Sequence, residues 1–109
     1  MNEIRSQGEG IPLTSTADVV KQTGATYRQL DYWTKQGWLK PDEPNPGKGQ
    51  LRSWPNDEVR IARIMVCLVQ AGLLPHVAAS TARSVVWTGF HDYELGPGIR
   101  LDLDERELT

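Results

Sequence analysis

The sequence predicts a mainly α-helical domain with a small amount of β-structure, and three observations predict it. Two short segments with apolar residues at helical spacing lie on either side of Gly24-Ala25. A loop rich in proline and glycine follows them, and a long apolar helical segment begins after Pro55. The expected order is helix, turn, helix, a loop between two short strands, a long helix and a shorter helix, followed by a C-terminal β-hairpin.

The first predicted helix is short. Ser15 or Thr16 has a side chain able to cap a helix that runs from Ala17 to Gln22 or Thr23. Gly24-Ala25 then provides a tight turn into the second helix. Two short helices joined by a small turn that contains glycine predict a helix-turn-helix.

The second predicted helix has clear signals at both ends. Thr26 can accept a hydrogen bond at its start, and Gln29 follows at the spacing of a capping box. Gly37 favours the left-handed conformation that ends a helix. The helix is therefore expected over about residues 26–36.

The two faces of this helix differ. Leu30 and Trp33 share an apolar face that is expected to pack into the core. The other face carries polar side chains at i, i+3, i+4 and i+7, namely Arg28, Asp31, Tyr32 and Lys35. A helix that buries one face and offers donors near its N-terminus is a common element for reading the major groove of DNA.

A wing, meaning a small hairpin beside the second helix, is predicted over about residues 40–54. Trp38 and Leu39 are expected to begin its first strand, and residues 50–54 to form its returning strand. Three prolines and two glycines between them exclude a helix and favour an extended loop. Trp33, Trp38 and Trp54 are expected in the core rather than stacked on bases.

The central helix is expected to begin after Pro55 and to run to about Ala71. Its apolar residues cover more than one stripe, so it is expected to be buried on two sides. These residues are Val59, Ile61, Ala62, Ile64, Met65, Val66, Leu68 and Val69. Gly72 ends this helix, and Pro75 opens another that continues to about Val86.

Alternating apolar and polar residues predict a β-hairpin from Tyr93–Leu95 and Ile99–Leu103, with its turn at Gly96-Pro97-Gly98. Trp87 and Phe90 are expected to help Tyr93 to pack this hairpin onto the helices. The expected division of the chain is a flexible arm at residues 1–13, a helical domain at 14–88, and an acidic hairpin and tail at 89–109.

Composition excludes several classes of protein. With 39% apolar and 24% charged residues, the chain is globular rather than disordered. It contains no apolar run of transmembrane length, and residues 1–10 carry no apolar segment, so we expect no secretory leader. Cys67 is the one cysteine, and with His76 and His91 it does not complete a usual zinc ligand set. No catalytic constellation or phosphate-binding glycine loop is present, so we expect neither an enzyme nor a cofactor, and a cytoplasmic location.

Charge is distributed unevenly along the chain. The net charge is −2, which argues against strong nonspecific binding to nucleic acid. From residue 16 to 63, however, eight Lys or Arg residues face six Asp or Glu residues, for a net charge of +2. From residue 91 to 109, two face six, for a net charge of −4. The predicted reading region is therefore mildly basic, and the C-terminal segment sets the overall sign.

Two motifs carry a resemblance to a known family. The run from Gln29 to Leu39 resembles a helix-end pattern of leucine, arginine, two aromatics and a glycine before an apolar pair. Leu51-Arg52-Ser53-Trp54 lies over an aromatic-arginine-x-aromatic pattern in a wing. With the helix after Pro55, these motifs resemble the DNA-binding domain of the MerR family of winged-helix regulators and related small excisionase-like domains. The resemblance covers about residues 15–84 and implies a winged helix-turn-helix that binds DNA.

The chain departs from the family pattern in three ways. Asp31 stands where the family has an arginine, and Arg28 lies one turn earlier. The family's long dimerising helix is replaced by a short helix and the acidic hairpin. No effector domain or metal-binding cysteine set follows. Sensing of drugs or metals is therefore not expected.

Candidate DNA-contacting residues lie on the second helix and on the wing. They are Thr26, Tyr27, Arg28, Asp31, Tyr32, Lys35, Lys48, Gln50 and Arg52. Arg28 is expected to read guanine or grip phosphate, Tyr32 to bond a phosphate oxygen, and Arg52 to touch phosphate or the minor groove. For Asp31 we favour a supporting role, holding Arg28 or Lys35, over acceptance of a hydrogen bond from cytosine.

Three functions fit these observations. The first is sequence-specific binding of double-stranded DNA by a small transcriptional regulator, acting as a homodimer or cooperative array on repeated half-sites. The second is an excisionase-type architectural factor that bends DNA and directs a recombinase. The third is a protein-interaction module that has lost DNA binding and binds a partner through the C-terminal hairpin.

Overall fold

The computed structural model describes residues 14–43, 51–89 and 91–108. Within these ranges the chain forms four α-helices, two antiparallel strand pairs and a short 3₁₀ helix. In chain order the elements are β1 (Thr14–Ser15), α1 (Thr16–Thr23), α2 (Tyr27–Lys35), β2 (Ser53–Trp54), α3 (Asn56–Gln70), α4 (Pro75–Thr88), β3 (Asp92–Gly96), β4 (Ile99–Asp102) and the 3₁₀ helix (Glu105–Leu108). This confirms the predicted fold class. The expected arm at residues 1–13, Phe90, Lys48 and Gln50 lie outside the described residues.

The helix-turn-helix is built from local capping interactions. The Ser15 side chain accepts from the backbone N–H of Asp18 at 3.2 Å and caps α1. Gly24, at φ 81°, ends α1 in the left-handed conformation that glycine adopts without steric cost. The Thr26 hydroxyl accepts from the backbone N–H of Gln29, and the Gln29 side chain accepts from the backbone N–H of Thr26, both at 3.0 Å. The predicted capping box is therefore confirmed.

The base of the wing is a small strand arrangement centred on Ser53. β2 pairs with β1, with Thr14 opposite Trp54 and Ser15 opposite Ser53. On its other side, Ser53 forms a β-bridge with Asp42 through hydrogen bonds of 2.7 and 3.0 Å. The bridge between Asp42 and Ser53 therefore closes the base of the wing.

The predicted strand at Trp38 and Leu39 is wrong. Gly37, at φ 81°, reverses the chain after α2, so both residues turn back onto that helix. Their backbone N–H groups donate to the carbonyl oxygen of Trp33 at 3.0 and 3.3 Å. These N–H groups satisfy the end of α2 and do not contribute to a ladder. Asp42, three residues later, is the first residue to pair with the returning strand.

The core surrounds α3, which packs against α1 on one side and α4 on the other. Ile61, Ile64 and Met65 are fully buried, in agreement with the prediction of a helix covered on two sides. Leu30 and Trp33 bring α2 onto the same core, and Trp54 is completely buried beneath the wing base. Burial of side chains this large supplies most of the stability of such a small domain.

The C-terminal segment returns to the helical body. β3 and β4 pair with Tyr93 opposite Leu101, and Leu103 is buried in the shared core. Arg60 on α3 donates to both carboxylate oxygens of Glu105 at 2.8 and 2.9 Å. An apolar anchor and an ion pair therefore hold the tail against α3.

Trp87 does not pack the hairpin onto the helices, so that expectation is wrong. Its side chain is 68% exposed. α4 buries Ala78, Ala82 and Val85, which lie on one side of the helix. Since Trp87 follows Val85 by two residues, about 200° around a helix of 3.6 residues per turn, it lies on the opposite side.

Candidate nucleic-acid interface

The first turn of α2 presents its side chains to solvent. Tyr27 is 59% exposed, and Arg28 beside it is also exposed. The capping box leaves the Thr26 side chain outside the helix, with its hydroxyl bound to a backbone N–H. The local sequence thus places a phenol and a guanidinium at the positive end of a helix, where a phosphate or a base edge is favoured.

Arg28 has no hydrogen bond or ion pair with any described residue. The expected contact with Asp31 is not formed, although i and i+3 are close enough for one. The guanidinium therefore keeps all five of its N–H donors available to a ligand. Within α2 it is the cation best placed to donate to guanine or to phosphate.

Asp31 joins the two parts of the interface. Its carboxylate accepts from Lys35 one turn along α2 at 3.0 Å, as predicted, and from Arg52 of the wing base at 3.1 Å. The hydrogen bonds from Lys35 and Arg52 hold the pKa of Asp31 below its ordinary value of 3.8. Of the two partners expected for Asp31, Lys35 is bonded and Arg28 is not, and the structure adds Arg52, which the sequence did not predict.

Arg52 is held more tightly than the sequence pattern indicates. Its side chain is only 18% exposed, and its Nε donates to Glu43 while Nη2 donates to Asp31. These contacts leave Nη1 without a described partner. Arg52 therefore fastens the wing base to α2.

Leu51 was not among the predicted site residues. It directly precedes Arg52 at the wing base, and its side chain is 89% exposed. The feature that marks it in the sequence is an aliphatic residue at a position where the resembling pattern has an aromatic one. With this exposure, the Leu51 side chain is available to a ligand of the wing base.

Tyr32 and Trp38 connect the end of α2 to the chain that leads into the wing. Their rings meet edge to face, with centroids 6.0 Å apart and planes at 84°. Tyr32 remains 52% exposed. An edge-to-face contact of this kind contributes about 0.5–1.5 kcal/mol.

A buried ion pair behind the interface positions it. Glu58, 7% exposed in the first turn of α3, accepts from both terminal nitrogens of Arg83 on α4 at 2.9 Å. The same carboxylate accepts the backbone N–H of Lys40 at 2.8 Å, and Arg83 donates to the carbonyl oxygen of Trp38 at 2.9 Å. The segment between α2 and the wing is thereby clamped to the two core helices.

Sequence patterns did not predict this clamp. In the sequence, Glu58 is one of two acidic residues in the first turn of α3, a position that the helix dipole favours for negative charge. Arg83 lies 25 residues away on a different helix. The sequence signal for the clamp is Arg83, the one Lys, Arg, Asp or Glu residue of α4. A charged side chain requires a partner when it is buried.

The fold and this geometry agree with a comparison against known protein families. Residues 14–81 match the family described as MerR HTH family regulatory protein. The chain belongs to the MerR family. No curated protein matches it significantly. The match covers the helix-turn-helix, the wing base, α3 and the first half of α4, and this kind of helix-turn-helix is a regulatory DNA-binding domain.

Two further features of the described residues bear on ligands. None of their helices is both long and apolar enough to cross a membrane. Among the same residues, no group of three or more His, Cys, Asp or Glu side chains is arranged to hold a metal ion. Both histidines are exposed, and Cys67 is half-buried on α3.

Proposed function

We propose that this MerR-family chain binds specific double-stranded DNA sequences as a small transcriptional regulator in the cytoplasm. The recognition helix, about residues 26–36, enters the major groove, and the wing, about 40–54, lies on the adjacent backbone. The observation that carries the proposal is Arg28, an unpaired guanidinium at the exposed, capped start of α2. In the major groove, O6 and N7 of guanine are two hydrogen-bond acceptors whose spacing matches the N–H donors of a guanidinium.

The remaining candidate residues divide by position. We propose that the hydroxyl groups of Thr26, Tyr27 and Tyr32 bond phosphate oxygens, and that Lys35, at the far end of α2, lies near the DNA backbone. Asp31 supports Lys35 and Arg52. We propose that Arg52 offers Nη1 to a phosphate and that Lys48 and Gln50 also contact DNA.

A single domain of this size covers a small DNA site. We therefore propose that two or more copies bind repeated half-sites, as a dimer or a cooperative array. We propose that the chain is divided into an arm at residues 1–13, a DNA-binding domain at 14–88, and an acidic hairpin and tail at 89–109. The net charge of −4 over residues 91–109 keeps that segment away from phosphate.

Selection from a random pool of double-stranded DNA tests this function. We expect a motif to be enriched, and the affinity for it to fall steeply with salt because phosphate contacts release counterions. Failure to enrich any sequence, together with no binding at low salt, would refute the proposal and direct the search toward protein partners.

Leu51 favours a second candidate, an excisionase-type architectural factor. An exposed aliphatic side chain on a wing is chemically suited to wedge between base steps in the minor groove and kink the duplex. A circular-permutation gel shift on the selected site measures this. We expect a bend that Leu51→Ser reduces. An unbent complex with the wild-type chain would exclude the architectural role, and transcriptional regulation would remain the proposed function.

A further inference from the structure

The two edges of the C-terminal hairpin differ in charge. Leu103 donates its backbone N–H to the carbonyl oxygen of His91 at 2.9 Å, which identifies His91 and Leu103 as a hydrogen-bonded pair. Such pairs alternate along an antiparallel ladder, so Tyr93 and Leu101 also bond each other. The backbone groups of the residues between them point outward, Asp92 and Glu94 along the β3 edge, Arg100 and Asp102 along the β4 edge.

The β4 edge is the more accessible of the two. β3 contacts α4, whereas the main neighbour of β4 within the described residues is β3 itself. Arg100 and Asp102 are both exposed. Arg100 lies 3.9 Å from the Asp92 carboxylate across the hairpin, and its side chain still retains 63% of its accessible surface. A row of unpaired N–H and C=O groups with open solvent beside it is a template for another strand.

We propose that the β4 edge joins two copies of this chain through antiparallel pairing of β4 with β4, centred on Leu101. With that centre, Arg100 lies directly opposite Asp102 of the second copy, and the symmetry repeats the pair on the other side. The outward-pointing backbone groups of Arg100 and Asp102 are those that such a ladder bonds. Backbone register and charge therefore select the same alignment.

Antiparallel pairing of β3 with β3 of a second copy is disfavoured by charge. Pairing centred on Tyr93 would place Asp92 opposite Glu94 of the second copy, so that like charges meet twice. Opposite charges at directly facing positions each contribute about 0.2–1 kcal/mol, and like charges are destabilising. This difference assigns the association to β4.

The apolar residues of the hairpin support the same arrangement. Side chains alternate across a strand, so Ile99, Leu101 and Tyr93 lie on one face, away from Arg100 and Asp102. Ile99 is 58% exposed in the single chain. A four-stranded sheet formed by two copies places Ile99 beside apolar residues of its neighbour. The interface is small, so its formation is expected to depend on protein concentration.

This association is independent of DNA, so its failure would leave the proposed DNA binding intact. Sedimentation equilibrium on the full chain without DNA is the measurement. We expect the mass to rise with concentration from 12.2 kDa toward twice that value. A chain that stays monomeric at every concentration would overturn the proposal.

Charge reversal tests the register. R100D places acid opposite acid and D102R places arginine opposite arginine, so each variant alone is expected to remain monomeric. A mixture of the two restores opposite charges and is expected to form a one-to-one dimer. Glu107→Arg, on the exposed side of the 3₁₀ helix, makes the same charge change as D102R and is expected to leave the dimer unchanged. Dimerisation of either single variant at wild-type strength, or folded variants that fail to pair when mixed, would refute the β4 alignment.

Hydrogen exchange on the unmodified chain gives a second test that no folding defect can obscure. The backbone amides of Arg100 and Asp102 are expected to exchange quickly at low protein concentration and slowly at high concentration. Those of Asp92 and Glu94 are expected to remain fast throughout. Protection that appears on β3, or on neither edge, would contradict the inference.

Discussion

Glu58 and Arg83 form a two-pronged ion pair that joins α3 to α4, and each partner also holds the backbone between α2 and the wing. The carboxylate accepts a hydrogen bond from the backbone N–H of Lys40, and the guanidinium donates one to the carbonyl oxygen of Trp38. The backbone that leads from α2 to the wing base is thus held by an ion pair between α3 and α4.

Replacement of Glu58 by alanine is expected to lower the free energy of unfolding by about 3–5 kcal/mol. The variant leaves the guanidinium of Arg83 largely buried without its counter-charge and removes the acceptor of the Lys40 N–H. Urea denaturation measures the loss. Glu107→Ala removes an exposed glutamate and is expected to stay within about 0.5 kcal/mol of the wild type. A Glu58 variant as stable as this control would show that the clamp contributes little.

Replacement of Arg28 by alanine is expected to weaken binding to the selected DNA site by about 1–3 kcal/mol without affecting stability. The reason is that Arg28 makes no contact with the described residues that folding requires. Fluorescence anisotropy on the enriched site measures the affinity. Arg106→Ala removes the same charge from a side chain that is 90% exposed at the C-terminal end, and should bind DNA normally. Equal losses in the two variants would reduce the role of Arg28 to general charge.

Asp31→Asn is expected to change affinity and selectivity in opposite directions. Loss of the carboxylate charge frees Lys35 and loosens Arg52, so nonspecific binding to DNA should strengthen and its salt dependence should steepen. The wing is then held less firmly, and discrimination between the selected site and random sequence should fall. Competition titrations against both DNAs measure the ratio. An unchanged ratio would mean that Asp31 does not position the wing.

The ion pair between Arg60 and Glu105 predicts a loss of stability in acid. Hydrogen bonds from Arg60 hold the pKa of Glu105 below its ordinary value of 4.5. A carboxylate with a lowered pKa in the folded state stabilises the protein above 4.5 and loses that contribution as pH falls through the lowered value. We expect Glu105→Gln to be less stable than the wild type at neutral pH and to lose less stability on acidification. Parallel unfolding curves for the two chains across this range would contradict the prediction.

Local signals in the sequence predicted the helices and their ends. These signals are the capping box of Thr26 and Gln29, the glycine after α2 and the proline before α3. Each acts within one turn of helix, so it can be recognised from a few neighbouring residues. The apolar residues of α3 predicted a doubly covered helix because burial follows helical periodicity.

Contacts between distant residues escaped prediction. Asp31 was expected to pair along its own helix, and the structure adds Arg52, 21 residues away. Glu58 and Arg83 carry no pattern that links them. Trp38 and Leu39 have strand propensity, yet the need to satisfy the carbonyl groups at the end of α2 determines their conformation.

The bridge between Asp42 and Ser53 has a consequence for how such a protein diversifies. Because this bridge and the Arg52 contacts close the base, we expect substitutions or insertions between Glu43 and Arg52 to leave the core and α2 undisturbed. Doubling the length of a loop costs only about 0.6 kcal/mol in closure entropy. Under the proposed function, this short stretch is where evolution, or an engineer building a library, is expected to change the preferred DNA target.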